Sequence, residues 1–501
     1  MPIEKSKVVT FLKHGNLLLL DPTTDHIFSV AKSVLTYSER RATRGKEAAM
    51  RRKNDMSPVE ITEKTFIELD TNNRVATYFG FWKRLKDALI KAGYTPRLKD
   101  MEPPNPEKFK ERWSNISGYS MREGQAEFIQ AILKNRCGRI DCPPGFGKSF
   151  MIGVIAALLP KARIDVITKR VSVLRERIYP ELVQMVGDVG IVGGGRKIQN
   201  KRVMCYTADS AHHALATDAD VLFGDEVHEL AADEISEQLA RWINSRNYGL
   251  SASHDRRWDN KDIRTEGIFG PLIYKVTYTQ AEKGGLVVPI HVHWSAVQMT
   301  YDPSDHANET AQKRYGIWRN TTRNTVIAND ARRYDKNTQT LIVVETVDHA
   351  LFLKKLLPEF TLVYNPASFT ADRKAKYVAA GICDKNEIIM TDERRIRLTQ
   401  EFEQGKLKKA IATSVWNVGV SFNKLAVLIR ADAGSSQIAD IQIPGRVSRI
   451  SDAKPYGIVH DYLDQFSPKY SRRANGRMKM YKESGWSQFR AEQTALEQEL
   501  E

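Results

Sequence analysis

Apolar positions near the start of the chain fall in short runs. VVTFL from Val8 and GNLLLLD from Gly15 have strand length, and Pro22 closes the second run with a turn. The charged stretch YSERRATRGKEAAMRRKN follows at 37–54, where Arg40, Arg41, Arg44, Lys46, Arg51, Arg52 and Lys53 face only Glu39 and Glu47. The spacing of FGFWKRLKDALIKAGY predicts an amphipathic helix ending near Gly93. LKDMEPPNPEKF, rich in proline and charge, reads as a linker. Residues 1–113 are therefore expected to form a small α+β accessory domain.

From about residue 114 the pattern changes to short apolar strands alternating with helices, which predicts an α/β fold. GRIDC, RIDVITK, KRVMCY and ADVLFGD form one strand series, and SFMIGVIAALLP reads as a helix within it. TQTLIVVE, FTLVYN, KKAIATS, LAVLIRA and YGIVHDY form a second series. Two series predict two lobes, placed at 114–287 and 288–465. Residues 466–501 then read as a helical extension whose composition passes from basic to acidic. No repeat of solenoid length is present.

Composition narrows the class. At roughly 100–200 residues per domain, 501 residues suggest three domains, and 42% hydrophobic with 27% charged residues is ordinary for a globular chain. The formal net charge of +15 favours a polyanionic partner. No apolar run approaches the roughly 18 residues of a membrane span, and MPIEKSKVVTF lacks a secretory apolar stretch. A cytoplasmic location is expected. Cys137, Cys142, Cys205 and Cys383 form no CxxC, which argues against a zinc site or a disulfide framework.

The candidate chemistry begins at CPPGFGKS, Cys142–Ser149, which follows a predicted strand and opens a predicted helix. Pro144, Gly145, Phe146 and Gly147 make a turn whose N–H groups can point at phosphate oxygens. Lys148 can reach the β and γ phosphates of ATP, and Ser149 can hold Mg²⁺. Cys142 stands where the strict pattern has glycine. The strand VLFGDEVH then ends in two carboxylates. Asp225 is placed to hold Mg²⁺ and Glu226 to orient and deprotonate water. His228 reads as a polar coupling residue rather than a metal ligand. Late in the second series, IQIPGRVSR carries Gln442, Arg446 and Arg449. The two arginines, three apart, are expected on one helix face, where they can stabilise charge developing on a γ-phosphate.

In this order the motifs resemble those of superfamily 2 helicases over about residues 119–462. CPPGFGKS resembles motif I and DEVH the DExH form of motif II. YSMREGQAEFIQAIL, with Arg122 and Gln125, resembles the adenine-contacting segment before motif I. VITKRVSVLRE resembles motif Ia, and 203–215, with Tyr206 and Thr207, the next strand-end motif. GLSASHDRRWD resembles motif III, with Ser251 and Ser253 as its coupling residues. LIVVETVDHALFL resembles motif IV. IATSVWNVGVSFNKL resembles motif V, with Thr413 toward nucleic acid and Gly419 toward nucleotide, and Gln442–Arg449 resembles motif VI. DEVH, GLSAS and FGPLIY followed by GGLVVP are similar to the XPB-like group, which includes bacteriophage UvsW-type helicases. The resemblance implies two tandem RecA-like domains and an ATP- and Mg²⁺-dependent motor that remodels duplex or branched DNA. In a phage-encoded protein the location would be the host cytoplasm. Ser253 and His254 depart from the usual Thr-Pro of motif III.

Nucleic acid is expected at loops on the sheet edges. Lys169 and Arg170 follow a strand end and Arg196 follows the Gly193–Gly195 turn, which suits backbone contacts that position rather than specify. Simple solvated charges are the competing reading. An RNA helicase, and a nucleic-acid-binding adaptor with a regulatory ATP site, are the alternative functions. The full motif set disfavours the adaptor, and DEVH in place of DEAD disfavours RNA.

Overall fold

The computed structural model describes residues 7–43, 47, 50–51, 57, 59–101, 107–116, 121–251, 260–416, 422–436, 439–451 and 454–490. The fold is α/β, and the chain divides into two compact units. One comprises Met1–Cys142 with Gly147–Val276, the other Pro143–Phe146 with Thr277–Glu501.

The first unit opens with seven short strands. These are β1 (Val8–His14), β2 (Leu17–Asp21), β3 (Thr36–Ala42), β4 (Val59–Thr65), β5 (Glu68–Leu69), β6 (Val75–Tyr78) and β7 (Thr95–Asp100). Five of them make a sheet in the order β5-β6-β2-β1-β7, and β3 pairs with β4 as a separate antiparallel ribbon. Alternation along β1 and β2 buries Val9, Phe11, Leu18 and Leu20. Helix Asp25–Leu35 packs there through Ile27, Ala31 and Leu35, and helix Trp82–Lys91 through Leu85 and Leu89. Thr24 caps the first helix by accepting from the Ile27 N–H.

Phe79 and Phe81 are buried in this core and Trp82 packs against it. The segment read as a linker instead begins as β7, which lies parallel to β1 with Leu98 opposite Phe11. Further along it, Lys108 pairs with Asp220 at 2.7 Å and the Phe109 ring lies under the Arg246 guanidinium. Of the basic stretch at 37–54, residues 44–46, 48–49 and 52–54 lie outside the described residues.

The rest of this unit is an eight-stranded sheet of β8 (Cys137–Asp141), β9 (Ile164–Thr168), β10 (Val189–Gly193), β11 (Arg196–Ile198), β12 (Val203–Thr207), β13 (Val221–Asp225), β14 (Arg246–Ser251) and β15 (Leu272–Lys275). Its order is β11-β10-β12-β9-β13-β14-β8-β15. All neighbours are parallel except the β10–β11 hairpin. Covered on both faces, β9, β12 and β13 are buried at every position and lack the alternation of a half-exposed strand. Because β8, β14 and β13 are consecutive neighbours running the same way, their C-terminal ends lie side by side, and the candidate chemistry sits there.

The N-terminal elements are fastened to this sheet's helices. Arg84 makes a two-pronged ion pair with Glu266, at 2.9 and 2.6 Å. On β3, Glu39 accepts from Lys261 and Arg264, both at 2.9 Å. Gly80 lies so close to the Glu266 carbonyl that a Cβ would fall 2.1 Å from its oxygen.

The second unit is a seven-stranded, all-parallel sheet of β16 (Ile290–Val297), β17 (Thr340–Val343), β18 (Thr361–Val363), β19 (Lys409–Ala412), β20 (Val427–Arg430), β21 (Gly457–Asp464) and β22 (Ser487–Arg490), in the order β18-β19-β17-β20-β21-β16-β22. The expected strand series misses β16, whose polar alternation in IHVHWSAV disguises a strand paired on both sides. The segment from 466 is not an appended helix either. Helix Pro468–Glu483 returns the chain to the sheet, where β22 pairs with β16. Arg477 of that helix is buried on Asp461 at 2.8 Å. Arg323 and Asp464 form a second buried pair at 2.8 Å. Among the described residues, no helix is long and apolar enough to cross a membrane.

Candidate functional site

The turn after β8 is shaped by two glycines, Gly145 at φ 90° and Gly147 at φ 92°, which side chains with a Cβ rarely adopt. Gly147 caps the helix Lys148–Leu158. That helix is buried along its whole length, which suits its uniformly apolar sequence beyond Ser149. Lys148 and Ser149 are buried at its N-terminus, where the helix dipole favours an anion. Phe146 is buried and Pro144 half-buried.

Asp225 ends the fully buried strand β13, and Glu226 follows in the left-handed region at φ 50°. For a residue other than glycine this backbone is sparsely populated, and Glu226 faces the helix Lys148–Leu158. Lys148 Nζ lies 3.1 Å from Glu226 Oε1. Burial pushes the Glu226 carboxyl up, but Lys148, His228 and Arg177 outweigh it and hold the group well below the ordinary carboxylate range. Asp225 goes the other way: burial raises it, the Glu226 charge adds to the rise, and Arg177 and Lys148 offset only part. Both Asp225 carboxylate oxygens are buried without a hydrogen-bond partner among the described residues. A buried carboxylate lacking donors is costly unless a cation meets it. With the Ser149 hydroxyl, this oxygen donor set fits Mg²⁺.

Several expected residues converge on the same edge. His228 Nδ1 is 2.9 Å from Ser251 Oγ and 3.4 Å from Glu226 Oε2. The Cys142 N–H donates to the Ser251 carbonyl at 3.0 Å, so the end of β14 touches both the start of the CPPGFGKS turn and the DEVH turn. Gln125 is buried and accepts from the Arg122 N–H at 3.1 Å, and its Nε2 lies 3.9 Å from where a Cβ on Gly147 would stand. Arg122 itself is exposed. Ser253 and Gly419 lie outside the described residues.

The residues expected to meet nucleic acid are less uniform. Lys169, Arg170 and Arg196 are exposed. Arg170 is occupied by a forked ion pair with Glu229, two residues beyond the DEV turn, at 3.0 and 2.5 Å. Arg196 opens the edge strand β11. Thr207 and Thr413 are buried, and the Thr207 hydroxyl donates to Ser210 at 2.9 Å.

In the second unit the expected shared helix face for Arg446 and Arg449 does not form. A short α-helix covers Ala439–Gln442, a 3₁₀ segment covers Pro444–Ser448, and Arg449 leaves it in an extended conformation. Pro444 lacks the N–H that a continuing α-helix needs. Arg446 is buried, with its guanidinium 5.9 Å from the Phe422 ring, while Gln442 and Arg449 are half-buried.

One site residue escapes sequence reasoning altogether. Arg177 donates from Nε and Nη2 to Ser149 Oγ, at 2.9 and 2.6 Å. It belongs to no motif, and its place depends on a π-helical turn at Leu174–Ile178.

Comparison with known proteins places these observations. Residues 323–451 match the family of the helicase conserved C-terminal domain, so this stretch is a superfamily 2 helicase domain. Putative helicase 22 of a Sulfolobus islandicus filamentous virus is 22% identical over 262 residues, covering 50% of this chain and 43% of that protein. The DNA 3'-5' translocase XPB2 of Sulfurisphaera tokodaii is 32% identical over 164 residues, covering 31% of this chain and 35% of that protein. The chain thus spans less than half the length of these two relatives. Among solved structures, S. cerevisiae Dbp5 bound to RNA and ADP BeF3 superposes with a TM-score of 0.51 at 12% identity, covering 77% of this chain and 94% of that one. At that identity the likeness is one of fold.

Proposed function

We propose that the chain is an ATP-driven motor on DNA, with tandem RecA-like lobes at 114–287 and 288–465 and an accessory domain at 1–113. One observation carries the reading. A P-loop lysine lies 3.1 Å from a strand-end glutamate, beside a buried serine and a buried aspartate without donors. That grouping has the parts of a phosphate-hydrolysis site.

In this mechanism the P-loop N–H groups and Lys148 hold the β and γ phosphates. Ser149 and Asp225 would hold Mg²⁺, which when bound would neutralise charge developing on the phosphates. Glu226, kept ionised by its cationic neighbours, orients the attacking water and accepts its proton. Its present partner is Lys148, so phosphate binding, by drawing the ammonium away, frees the base. Arg446 and Arg449 supply further positive charge to the transferring phosphoryl group. His228 and Ser251 relay the state of the site to the segment after β14.

DNA is favoured over RNA by the XPB-like motifs and by the relative named as a DNA translocase. The net charge of +15 suits either polyanion. Fork regression, branch migration, annealing and unwinding are the remodelling steps such a motor performs. The deciding experiment measures ATP turnover with single-stranded DNA, duplex DNA, forked DNA and RNA. Stimulation by duplex or forked DNA is expected. Stimulation by RNA alone transfers the reading to an RNA helicase, and absence of hydrolysis with every nucleic acid defeats it.

A further inference from the structure

The Ser149 hydroxyl is the oxygen that the reading above gives to magnesium, yet a cation from the protein is already bonded to it. Both Arg177 donors end on this one atom, at 2.9 and 2.6 Å. A hydroxyl has two acceptor lone pairs, and two guanidinium N–H groups use them. Mg²⁺ takes its oxygen ligands at about 2.0–2.1 Å, so guanidinium and metal cannot share Ser149 Oγ. Arginine cannot yield by losing its proton, because it stays charged at all ordinary pH values.

The placement is built by the backbone. The helix after β9 widens into a π turn at Leu174–Ile178, closed by the Tyr179 N–H donating to the Leu174 carbonyl. Such turns are rare inside helices and recur at functional sites. Leu174 and Ile178 anchor this one in the core, and Arg175 is held separately by the Gly194 carbonyl at 3.1 Å. Arg177 reaches the helix Lys148–Leu158 through Ser149. Its charge acts on both strand-end carboxylates, helping Lys148 draw Glu226 down and offsetting part of the rise that burial imposes on Asp225. With Lys148 it balances two cations against two anions in a site that is largely closed to water.

We infer that Arg177 is a positioning residue that competes with Mg²⁺ for Ser149 and stands in for its charge, so that it sets how strongly nucleotide binding depends on the metal. The inference rests on the nucleotide-site reading. With Arg177 present, the corner holds a positive charge with or without metal, and binding should depend weakly on Mg²⁺. Without it, metal-free binding should weaken because the carboxylates repel the phosphates. Metal-supported binding should tighten because nothing has to leave Ser149.

The test is the affinity of a fluorescent ADP for the full chain and for Arg177→Gln and Arg177→Lys, by anisotropy in excess Mg²⁺ and again in EDTA. The ratio of the EDTA to the Mg²⁺ dissociation constant should rise about tenfold in Arg177→Gln, the scale of one charged hydrogen bond. Arg177→Lys, which keeps the charge but has no fork, should fall between. Equal ratios in all three proteins overturn the inference and leave Arg177 a clamp between two helices. Should Arg177→Gln fail to fold, the lysine variant decides on the same criterion. If the unaltered chain binds no nucleotide in either condition, the nucleotide-site reading itself fails.

Discussion

His228 Nδ1 stands 2.9 Å from Ser251 Oγ, joining the turn after β13 to the end of β14 inside the first unit. Both side chains are buried, and Glu226 approaches the same imidazole at 3.4 Å. A buried polar contact between two strand ends moves as one piece with the carboxylate proposed to activate water. His228→Ala and Ser251→Ala should therefore each reduce strand displacement per ATP hydrolysed. The double variant should be little worse than either single one, with a coupling energy of about 1 kcal/mol or more. Additive losses in the double-mutant cycle would show that the contact carries no coupling.

The Lys148–Glu226 pair predicts a split between binding and hydrolysis. Glu226→Gln should bind nucleotide normally and turn over on the order of a hundredfold more slowly, the usual scale for losing a general base. Lys148→Ala should lose turnover together with nucleotide affinity. Measuring dissociation constants beside steady-state rates separates the two. Near-normal turnover in Glu226→Gln would remove the glutamate from the mechanism.

Arg446 and Arg449 occupy different backbone states, 3₁₀ and extended, and differ in burial. They should not be interchangeable. Arg446→Ala and Arg449→Ala should both cut the turnover number, by as much as roughly a thousandfold for the residue that meets the phosphoryl group. Binding of DNA without nucleotide should stay near its original strength. An unchanged rate at saturating ATP in both variants excludes either as a finger.

The N-terminal elements are pressed onto the eight-stranded sheet's helices at Gly80, where a Cβ would meet the Glu266 oxygen at 2.1 Å and the Gly267 oxygen at 2.3 Å. Backbone atoms cannot step aside as a flexible side chain does. Gly80→Ala should destabilise the first unit by about 1–3 kcal/mol, read from urea unfolding followed by tryptophan fluorescence. A fragment starting near residue 109 should expose Glu266 and Arg264 and lose stability because their partners Arg84 and Glu39 are gone. If it nevertheless folds, equal fork binding by fragment and full chain across a salt series would refute a DNA-targeting role for residues 1–113.

Lys454 gives a pH prediction. Its ammonium is buried and donates to the Leu425 and Val447 carbonyls at 2.6 and 2.8 Å. Burial, aided by Arg449, lowers the group to about 7, against roughly 10.4 in an unfolded chain. Between those values the unfolded chain binds the extra proton, so stability rises with pH, at most about 1.4 kcal/mol per unit from this residue. The penalty is fully present below pH 7 and gone above the unfolded value. Urea midpoints at pH 7, 8 and 9 should show a rising difference between the protein and Lys454→Met, even though the variant loses two hydrogen bonds. A difference that stays flat with pH would mean that Lys454 is charged in the fold.

What the sequence by itself determined is local. CPPGFGKS needs only a strand, a tight turn and a helix, and glycines at 145 and 147 are what a turn at φ near 90° requires. VLFGDEVH, buried on every strand residue, could be recognised because a strand covered on both faces is a continuous apolar run. The approach of Lys148 to Glu226 follows once both segments lie in one parallel sheet. Tertiary structure decided the rest. Phe79 and Phe81 are core because a sheet and two helices close over them, and composition alone cannot distinguish a buried aromatic from a stacking one. Pro444 splits the expected arginine helix. Strands β16 and β22 are strands because each lies beside a partner distant in sequence, although neither carries a full apolar run. Arg177 reaches Ser149 only through a wider helical turn, and a one-residue shift in helical phase leaves no mark in a hydrophobic pattern.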